Sequence, residues 1–284
     1  MKIINFPGAS DKSGKDPSTK EFLRCELKEN KFISNEIFRL SFSWQGPEPK
    51  AGQFFMIKPE RTGVFLGRPI STAAWNPTKK IVEFMIAIRG VGTLDLSDMA
   101  PGEYAQLTGP LGNTWINYLS ILYDNREFAL VGGGIGVAPL LALAAELPEK
   151  SFDFYAGFKT KFRTNDERYG ILGPVSSMDT KSEKPGGRLV IATEDGSEGF
   201  NGLITDFLEP GKYAAVCACG PAPMLKKIAA ICKKADVYCF VSMEQRMACG
   251  VGACLGCTIK TKQGHLHCCT DGPIFPAQEL RFDK

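Results

Sequence analysis

Four of the ten cysteines in this 284-residue chain form a metal-binding pattern. Cys249, Cys254, Cys257 and Cys269 are spaced C-x4-C-x2-C, then eleven residues, then C. This is the plant-type ligand spacing for a 2Fe-2S cluster. Ionised thiolates are soft donors that neutralise the charge on iron. Gly250, Gly252 and Gly256 lie among them and let the chain turn tightly and aim amides at sulfur. A zinc knuckle is the plainer use of cysteines, but it pairs them in two short units. Here three come from one glycine-rich loop and the fourth stands apart. Cys268 adjoins Cys269 and competes for the fourth position. His265 and His267 raise the Rieske alternative, in which two histidines hold one iron. With four cysteines available, both read as bystanders that could donate to cluster sulfurs.

Five other stretches suggest nucleotide chemistry. In "GRPIST", Gly67 to Thr72, Arg68 could pair with a pyrophosphate and Ser71 could hydrogen-bond a flavin ring. The plainer reading is a turn ending a strand. In "RGVGTL", Arg89 to Leu94, Gly90 and Gly92 would free backbone amides and Thr93 would open a short helix facing a phosphate. "VGGGIGVAPLL", Val131 to Leu141, follows a strand and opens a helix, as a phosphate-binding loop requires. It departs from G-x-G-x-x-G, because Val137 takes the place of the third glycine. Gly133, Gly134 and Gly136 are its candidate dinucleotide contacts. "CACGPAPML", Cys217 to Leu225, ends a strand where open α/β sheets bind ligands, with Pro221 suited to a first helical turn. Cys219 and Gly220 would face that crevice, and Cys219 is the candidate catalytic thiol. A buried structural thiol is its plainer reading. In "TEDGS", Glu194 or Asp195 could take ribose hydroxyls and favour NAD over NADP, and an exposed acidic turn is the alternative. No Ser–His–Asp arrangement and no paired-carboxylate motif is recognisable.

The elements that must position these residues change character along the chain. Residues 1–20 are polar and read as a loose tail, with no targeting peptide. From 21 to 118, short runs rich in Phe, Ile and Val, separated by Gly, Pro and Asn, predict a small antiparallel barrel. From 119 to 240, apolar strands alternate with helical runs, which predicts a parallel α/β sheet. The charged stretch 160–187 reads as a long connection with one short helix. Residues 241–284 lack periodicity and read as a metal-ordered module. Hydrophobic content of 44% fits sizeable cores. A net charge of +3 is too small to argue for nucleic acid or an anionic membrane. No run approaches the roughly 20 apolar residues of a membrane helix. Ten cysteines without an export signal suggest a reducing cytoplasm.

Taken in order, "RPIS", "GVGT", "GGGIGVAPL", "TEDGS", "CACGPAPML" and "CGVGACLGC…CTDGPIF" resemble the electron-transfer subunits of NAD-dependent dihydroorotate dehydrogenase, within the ferredoxin–NADP reductase superfamily. The resemblance covers about residues 21–282. It implies a six-stranded FAD-binding barrel, a Rossmann-like NAD domain and a carboxyl-terminal 2Fe-2S module. It implies flavin contacts from Arg68, Pro69, Ile70 and Ser71, with Met85, Ile86 and Ala87 lining the site and Gly92 and Thr93 at the phosphates. Ile70 stands where the wider superfamily often has an aromatic ring. The implied activity passes electrons from an FMN-containing dihydroorotate dehydrogenase catalytic subunit, in a heterotetramer, through the cluster and FAD to NAD+, in pyrimidine biosynthesis. Two alternatives stand beside it. One is an NAD(P)H-linked ferredoxin or sulfide oxidoreductase small subunit, although relatives of that kind replace one cysteine with a carboxylate. The other is a zinc-stabilised interaction protein.

Overall fold

The structure is a computed structural model that describes residues 21–60, 63–122, 126–161, 171–178, 180 and 186–282. The polar tail 1–20 and most of the charged stretch 160–187 lie outside the described residues. The described part of that stretch contains a single short 3-10 turn, Gly173–Val175.

The first sheet contains β1 (Glu21–Phe32), β2 (Ile37–Ser43), β3 (Phe54–Pro59), β4 (Arg68–Ser71), β5 (Ala74–Asn76), β6 (Ile81–Ala87) and β7 (Tyr104–Leu111). Their order is β4-β3-β7-β1-β2-β6-β5, and every pairing is antiparallel. The two ends of this order are halves of one segment. β4 pairs with β3, the chain bends at Thr72–Ala73, and β5 pairs with β6. At the bend the Thr72 amide donates to Gln53 O (3.0 Å) and the Ala73 amide to Glu83 O (2.9 Å). One kinked strand therefore closes the barrel, and counting it once gives the six strands expected. "RPIS" is that strand's first half, not a turn after a strand. Inside, rings of Trp44, Phe55 and Phe84 meet edge to face at centroid distances of 4.9 and 5.4 Å, a geometry that aromatic quadrupoles favour. α1 (Val91–Ser97) and α2 (Ile116–Leu119) connect around the barrel.

The second sheet contains β8 (Phe128–Gly133), β9 (Phe152–Phe158), β10 (Leu189–Thr193), β11 (Phe200–Asn201), β12 (Ala215–Cys219), β13 (Tyr238–Ser242) and β16 (Ile274–Pro276). Its order is β11-β10-β9-β8-β12-β13-β16. Six strands run parallel, and β16 joins antiparallel to β13. The sheet is thus mixed, not wholly parallel, because residues 241–284 return to complete it. Between β13 and β16, β14 (Thr258–Thr261) and β15 (Gly264–His267) form a hairpin. α3 (Val137–Glu146) is buried from Val137 to Leu143, which suits its nearly unbroken apolar run. α4 (Ala222–Lys234) is amphipathic instead. It buries Leu225, Ile228 and Cys232 and places Lys233 and Lys234 at its carboxyl end, where the helix dipole favours cations. The Glu146 carboxylate accepts the Ala51 amide at 2.7 Å, tying the end of α3 to the barrel. Among the described residues no helix is long and apolar enough to cross a membrane.

Asp153 on β9 is fully buried, so its charge must be paired. Its Oδ1 accepts the Gly186 and Arg188 amides at 2.8 and 2.9 Å. Its Oδ2 accepts Arg188 Nε at 2.8 Å and the Tyr213 hydroxyl at 2.7 Å. This network clamps the start of β10 to β9. Asp153→Ala leaves a guanidinium and a phenol without their acceptor, and is expected to cost about 3–5 kcal/mol. Urea unfolding of the purified variant measures this, and an unchanged midpoint would show the network to be dispensable.

Candidate functional site

The strand order of the second sheet reverses between β8 and β12, and a crevice opens there at the carboxyl ends of the strands. The β8 loop and the β12 end meet backbone to backbone. A Cβ on Gly136 would overlap the Cys219 carbonyl and approach the Gly220 Cα, so only glycine permits this contact. The sequence-selected glycine loop and the "CACG" strand end therefore lie side by side.

A cavity of about 270 Å³ extends from this crevice to the barrel. Pro69, Ile70 and Ser71 of β4, Met85, Ile86 and Ala87 of β6, and Thr93 line the barrel side. Gly136 and Cys219 line the other side. Arg68 and Gly92 lie just outside but pack together, because a Cβ on Gly92 would overlap the Arg68 guanidinium. The cavity wall is apolar in its Pro, Ile and Met side chains and polar at Ser71, Arg89 and Thr93. Such a lining suits a flat, largely apolar ring with a polar edge. Thr93 departs from expectation in one detail. Its Oγ1 accepts the Arg89 and Gly90 amides at 2.8 and 3.2 Å, so the Gly90 amide is engaged by the turn and is not free for a phosphate.

Cys219 is 3% exposed, and burial pushes its thiol up to about 12, opposed by a hydrogen bond with Ser242. It therefore faces the cavity as a neutral thiol and not as a thiolate nucleophile. Glu194 and Asp195 are exposed at the end of β10, and neither borders the cavity. Asp195 Oδ1 accepts the Ser197 amide at 3.0 Å and the Ser197 hydroxyl at 2.6 Å, bonds that lower its carboxyl to about 2.

Several lining residues escaped the sequence reading. Ser242, Met243, Glu244, Gln245 and Met247 run from the end of β13 along the cavity, and Phe54 and Pro273 also line it, with Arg89 and with Ile135, Ala138 and Pro139 of the glycine-loop segment. The available signal was positional: "VYCFVS" ends at the same edge of the sheet as "CACG". The Glu244 carboxyl is pushed up by surrounding protein, with Arg89 opposing the shift.

Met247 lies two residues before the first cysteine of the loop. That loop turns through left-handed backbone at Gly250 (φ 72°), Gly252 (φ 86°) and Leu255 (φ 58°). Leu255 thus takes the turn that the sequence suggests for Gly256. The sulfurs fall into two pairs. Cys257 and Cys269 Sγ are 3.3 Å apart, and Cys249 is hydrogen-bonded with the Cys254 thiol. Backbone amides point at these sulfurs. Val251 and Cys254 donate to Cys249 Sγ, each at 3.4 Å, and Cys269 donates to Cys257 Sγ at 3.4 Å. Burial raises the Cys249 thiol, but the amides of Cys254 and Val251 outweigh it and hold the thiol down at about 7. Two pairs of sulfurs under amides could hold a two-iron cluster. Cys268 points elsewhere. Its Sγ donates to Met243 O at 3.1 Å, and burial pushes that thiol up. His267 Nδ1 lies 3.7 Å from Asp271 Oδ2, and His265 is exposed on β15.

Comparison with known proteins agrees with this geometry. Residues 244–281 match the iron–sulfur cluster binding domain of dihydroorotate dehydrogenase B. The chain is 38% identical over 266 residues to the dihydroorotate dehydrogenase B (NAD(+)) electron transfer subunit of Clostridium perfringens, covering 92% of this chain and 99% of that protein. It is 35% identical over 266 residues to the subunit of the same name from Caldanaerobacter subterraneus subsp. tengcongensis, covering 92% and 98%. Among solved structures, a chain of an NADH-dependent reduced ferredoxin-NADP oxidoreductase superposes with a TM-score of 0.73 at 25% identity, covering 91% of this chain and 90% of that one. A ferredoxin NADP+ reductase from Neisseria gonorrhoeae with bound FAD and NADP shares the fold, with a TM-score of 0.60 at 16% identity over 80% of this chain and 95% of that one. With a barrel and a nucleotide-type sheet meeting at one cavity, a cysteine loop following the segment that lines it, and relatives matched along almost their whole length, this chain belongs to the family of dihydroorotate dehydrogenase B (NAD+) electron-transfer subunits.

Proposed function

We propose that this chain passes electrons arising from dihydroorotate oxidation in a partner FMN-containing catalytic subunit, through a 2Fe-2S cluster and FAD, to NAD+ in the cytoplasm. One observation carries this reading: a single cavity is lined by "PIS" of the barrel, by Gly136 and Cys219 of the second sheet, and by a strand that runs directly into the cysteine loop. In this reading residues 21–118 hold FAD, residues 119–240 receive the nicotinamide cofactor, and residues 241–284 hold the cluster. A heterotetramer with the catalytic subunit is the assembly we propose.

Bound here, FAD supplies the exchange between the two-electron hydride of the nicotinamide and the single electrons of an iron–sulfur cluster. The chain's own residues orient and insulate. Pro69, Ile70 and Met85 to Ala87 present apolar walls to the flavin ring, and the Ser71 hydroxyl is the donor available at its edge. Arg68, seated over Gly92, would counter the pyrophosphate charge, with Thr93 bracing the turn. Gly134 has open space where a dinucleotide backbone could approach, Gly136 borders the cavity, and Gly133 and Gly220 make room for Met224. Cys219 contributes a neutral, hydrogen-bonded thiol beside the hydride path. Glu194 is the carboxylate available for ribose hydroxyls, since Asp195 is committed to Ser197. Cys249, Cys254, Cys257 and Cys269 would ligate iron. Cys254 is exposed between the exposed side chains of Val251 and Leu255, which supports this loop as the face that meets the partner.

The ferredoxin-oxidoreductase reading finds support in the 0.73 TM-score, but the higher identities lie with the dihydroorotate dehydrogenase subunits. Under the reading proposed here, anaerobic addition of dihydroorotate to the purified chain leaves its flavin oxidised, and adding the FMN subunit bleaches it. Bleaching by dihydroorotate without a partner would overturn the division of labour. The ligand assignment has its own test. Cys269→Ala is expected to lose most of its iron and its cluster absorption, whereas Cys268→Ala retains both. Equal loss in the two variants would contradict the assignment.

A further inference from the structure

Asn113 stands two residues beyond β7, after Gly112 in left-handed backbone (φ 81°). A Cβ on Gly112 would overlap the Pro273 ring and the Gly272 carbonyl, so the two backbones touch here. The Asn113 amide donates to Gly272 O at 2.7 Å. Its side-chain Nδ2 donates to Asp271 O at 3.0 Å and Ile274 O at 2.8 Å. Its Oδ1 accepts the Ile274 amide at 3.0 Å. The buried Tyr118 hydroxyl, 3.1 Å from Nδ2, adds a bond to Ile274 O at 3.1 Å. One asparagine thus binds the backbone at Asp271, Gly272 and Ile274, more than 150 residues away in sequence. A carboxylate in its place could not donate to the two carbonyls, and an aliphatic side chain could make none of the bonds.

The segment that Asn113 grips lies between the two halves of the site. Cys269 is two residues before it, and Asp271 accepts the His267 amide at 2.7 Å. Pro273, in its middle, lines the cavity, and Pro273 O accepts the Met243 amide at 2.8 Å. Met243 O in turn accepts the Cys268 thiol. A shift of residues 271–274 would therefore move the cavity wall and a cluster sulfur relative to the barrel that carries Asn113.

We propose that Asn113 is a positioning residue for electron passage between the cysteine loop and the flavin cavity. This rests on the function proposed above. It fixes the separation of the two centres and acts on the hydride site only at one remove, through Ile274 and its strand partner Ser242, because none of its own bonds is to the glycine loop, Cys219 or Ser71. In the forward half of the test reaction, NADH gives a hydride, two electrons and a proton, to the flavin. One electron then moves on to reduce one ferric ion of the cluster to ferrous.

The test uses the full chain loaded with both cofactors, mixed anaerobically with NADH, with flavin and cluster bands followed separately. The variants are Asn113→Ala and the isosteric Asn113→Asp, which keeps the volume if the first fails to fold. In both, flavin bleaching is expected to keep its rate within about twofold. Cluster bleaching is expected to slow severalfold relative to flavin bleaching, because electron passage weakens steeply as two centres separate. Hydrogen exchange supplies a readout independent of turnover. Amides of residues 271–274 lose protection, while β1 and β2 keep theirs. Equal slowing of both bands, or no slowing of the cluster band with residues 271–274 still protected, would overturn the proposal. A wild-type chain whose bands do not respond to NADH would instead sink the underlying function, so the two failures are distinguishable.

Discussion

The antiparallel pairing of β16 with β13 is the constraint on which the rest of the site depends. Phe240 faces Pro276, Val241 faces Phe275 and Ser242 faces Ile274. This register pins both ends of the cysteine-bearing segment to one sheet edge, at the same end as the switch-point crevice. The entropy of closing such a loop grows only slowly with its length, so a short edge strand can secure it when side chains assist. They do assist. Phe275 and Ile274 are buried, the β14–β15 hairpin stiffens the middle, and the Cys268 amide donates to Cys257 O at 2.9 Å. The hairpin pairs Thr258 with His267 and so brings Cys269 beside Cys257, and the β13–β16 pairing holds that unit at the edge of the cavity.

The same pairing explains why one cavity can serve two kinds of electron chemistry. The barrel supplies an apolar slot, the second sheet supplies glycine backbone and a neutral thiol, and the segment after β13 forms the wall between slot and cluster loop. The acidic group in that wall, Glu244, has the Arg89 charge opposing the upward push of burial on its carboxyl. Cys219 and Cys268 are held as neutral thiols by burial. Charge is concentrated where it has a partner: Arg68 donates to Leu66 O at 3.1 Å beside Gly92, and Cys249 lies beneath two amides. In a low-dielectric interior an unpaired charge is costly, so this separation keeps the transfer route dry without destabilising the fold.

Much of the architecture was legible in the sequence because local chemistry and global role coincide there. The buried strands "FALVGG" and "AVCAC" read as continuous apolar runs because helices and neighbouring sheet cover both faces. The iron–sulfur segment was readable because the spacing of four cysteines in a glycine-rich run carries a signal without any periodicity. Less legible were features decided by tertiary pairing. The kinked strand 68–76 closes the barrel, yet its proline and small residues resemble a turn. β16 is three residues long and lies among Gly and Pro, so no periodicity announces it. Leu255 in left-handed backbone defied the expectation that Gly256 would take the turn. Glu244, Met247 and Asn113 carry no motif, and only the three-dimensional return of residues 271–276 gives them partners.

The most direct measurement of the central claim is an anaerobic equilibrium titration of the purified chain with NADH, with NADPH in parallel and metal content determined on the same sample. The account predicts iron and flavin in the protein, and bleaching of both the flavin and the cluster bands by NADH at far lower concentration than by NADPH. A colourless protein holding zinc would contradict it outright. So would a coloured protein whose cluster stays oxidised while its flavin is fully reduced, since the cavity would then join no two redox centres.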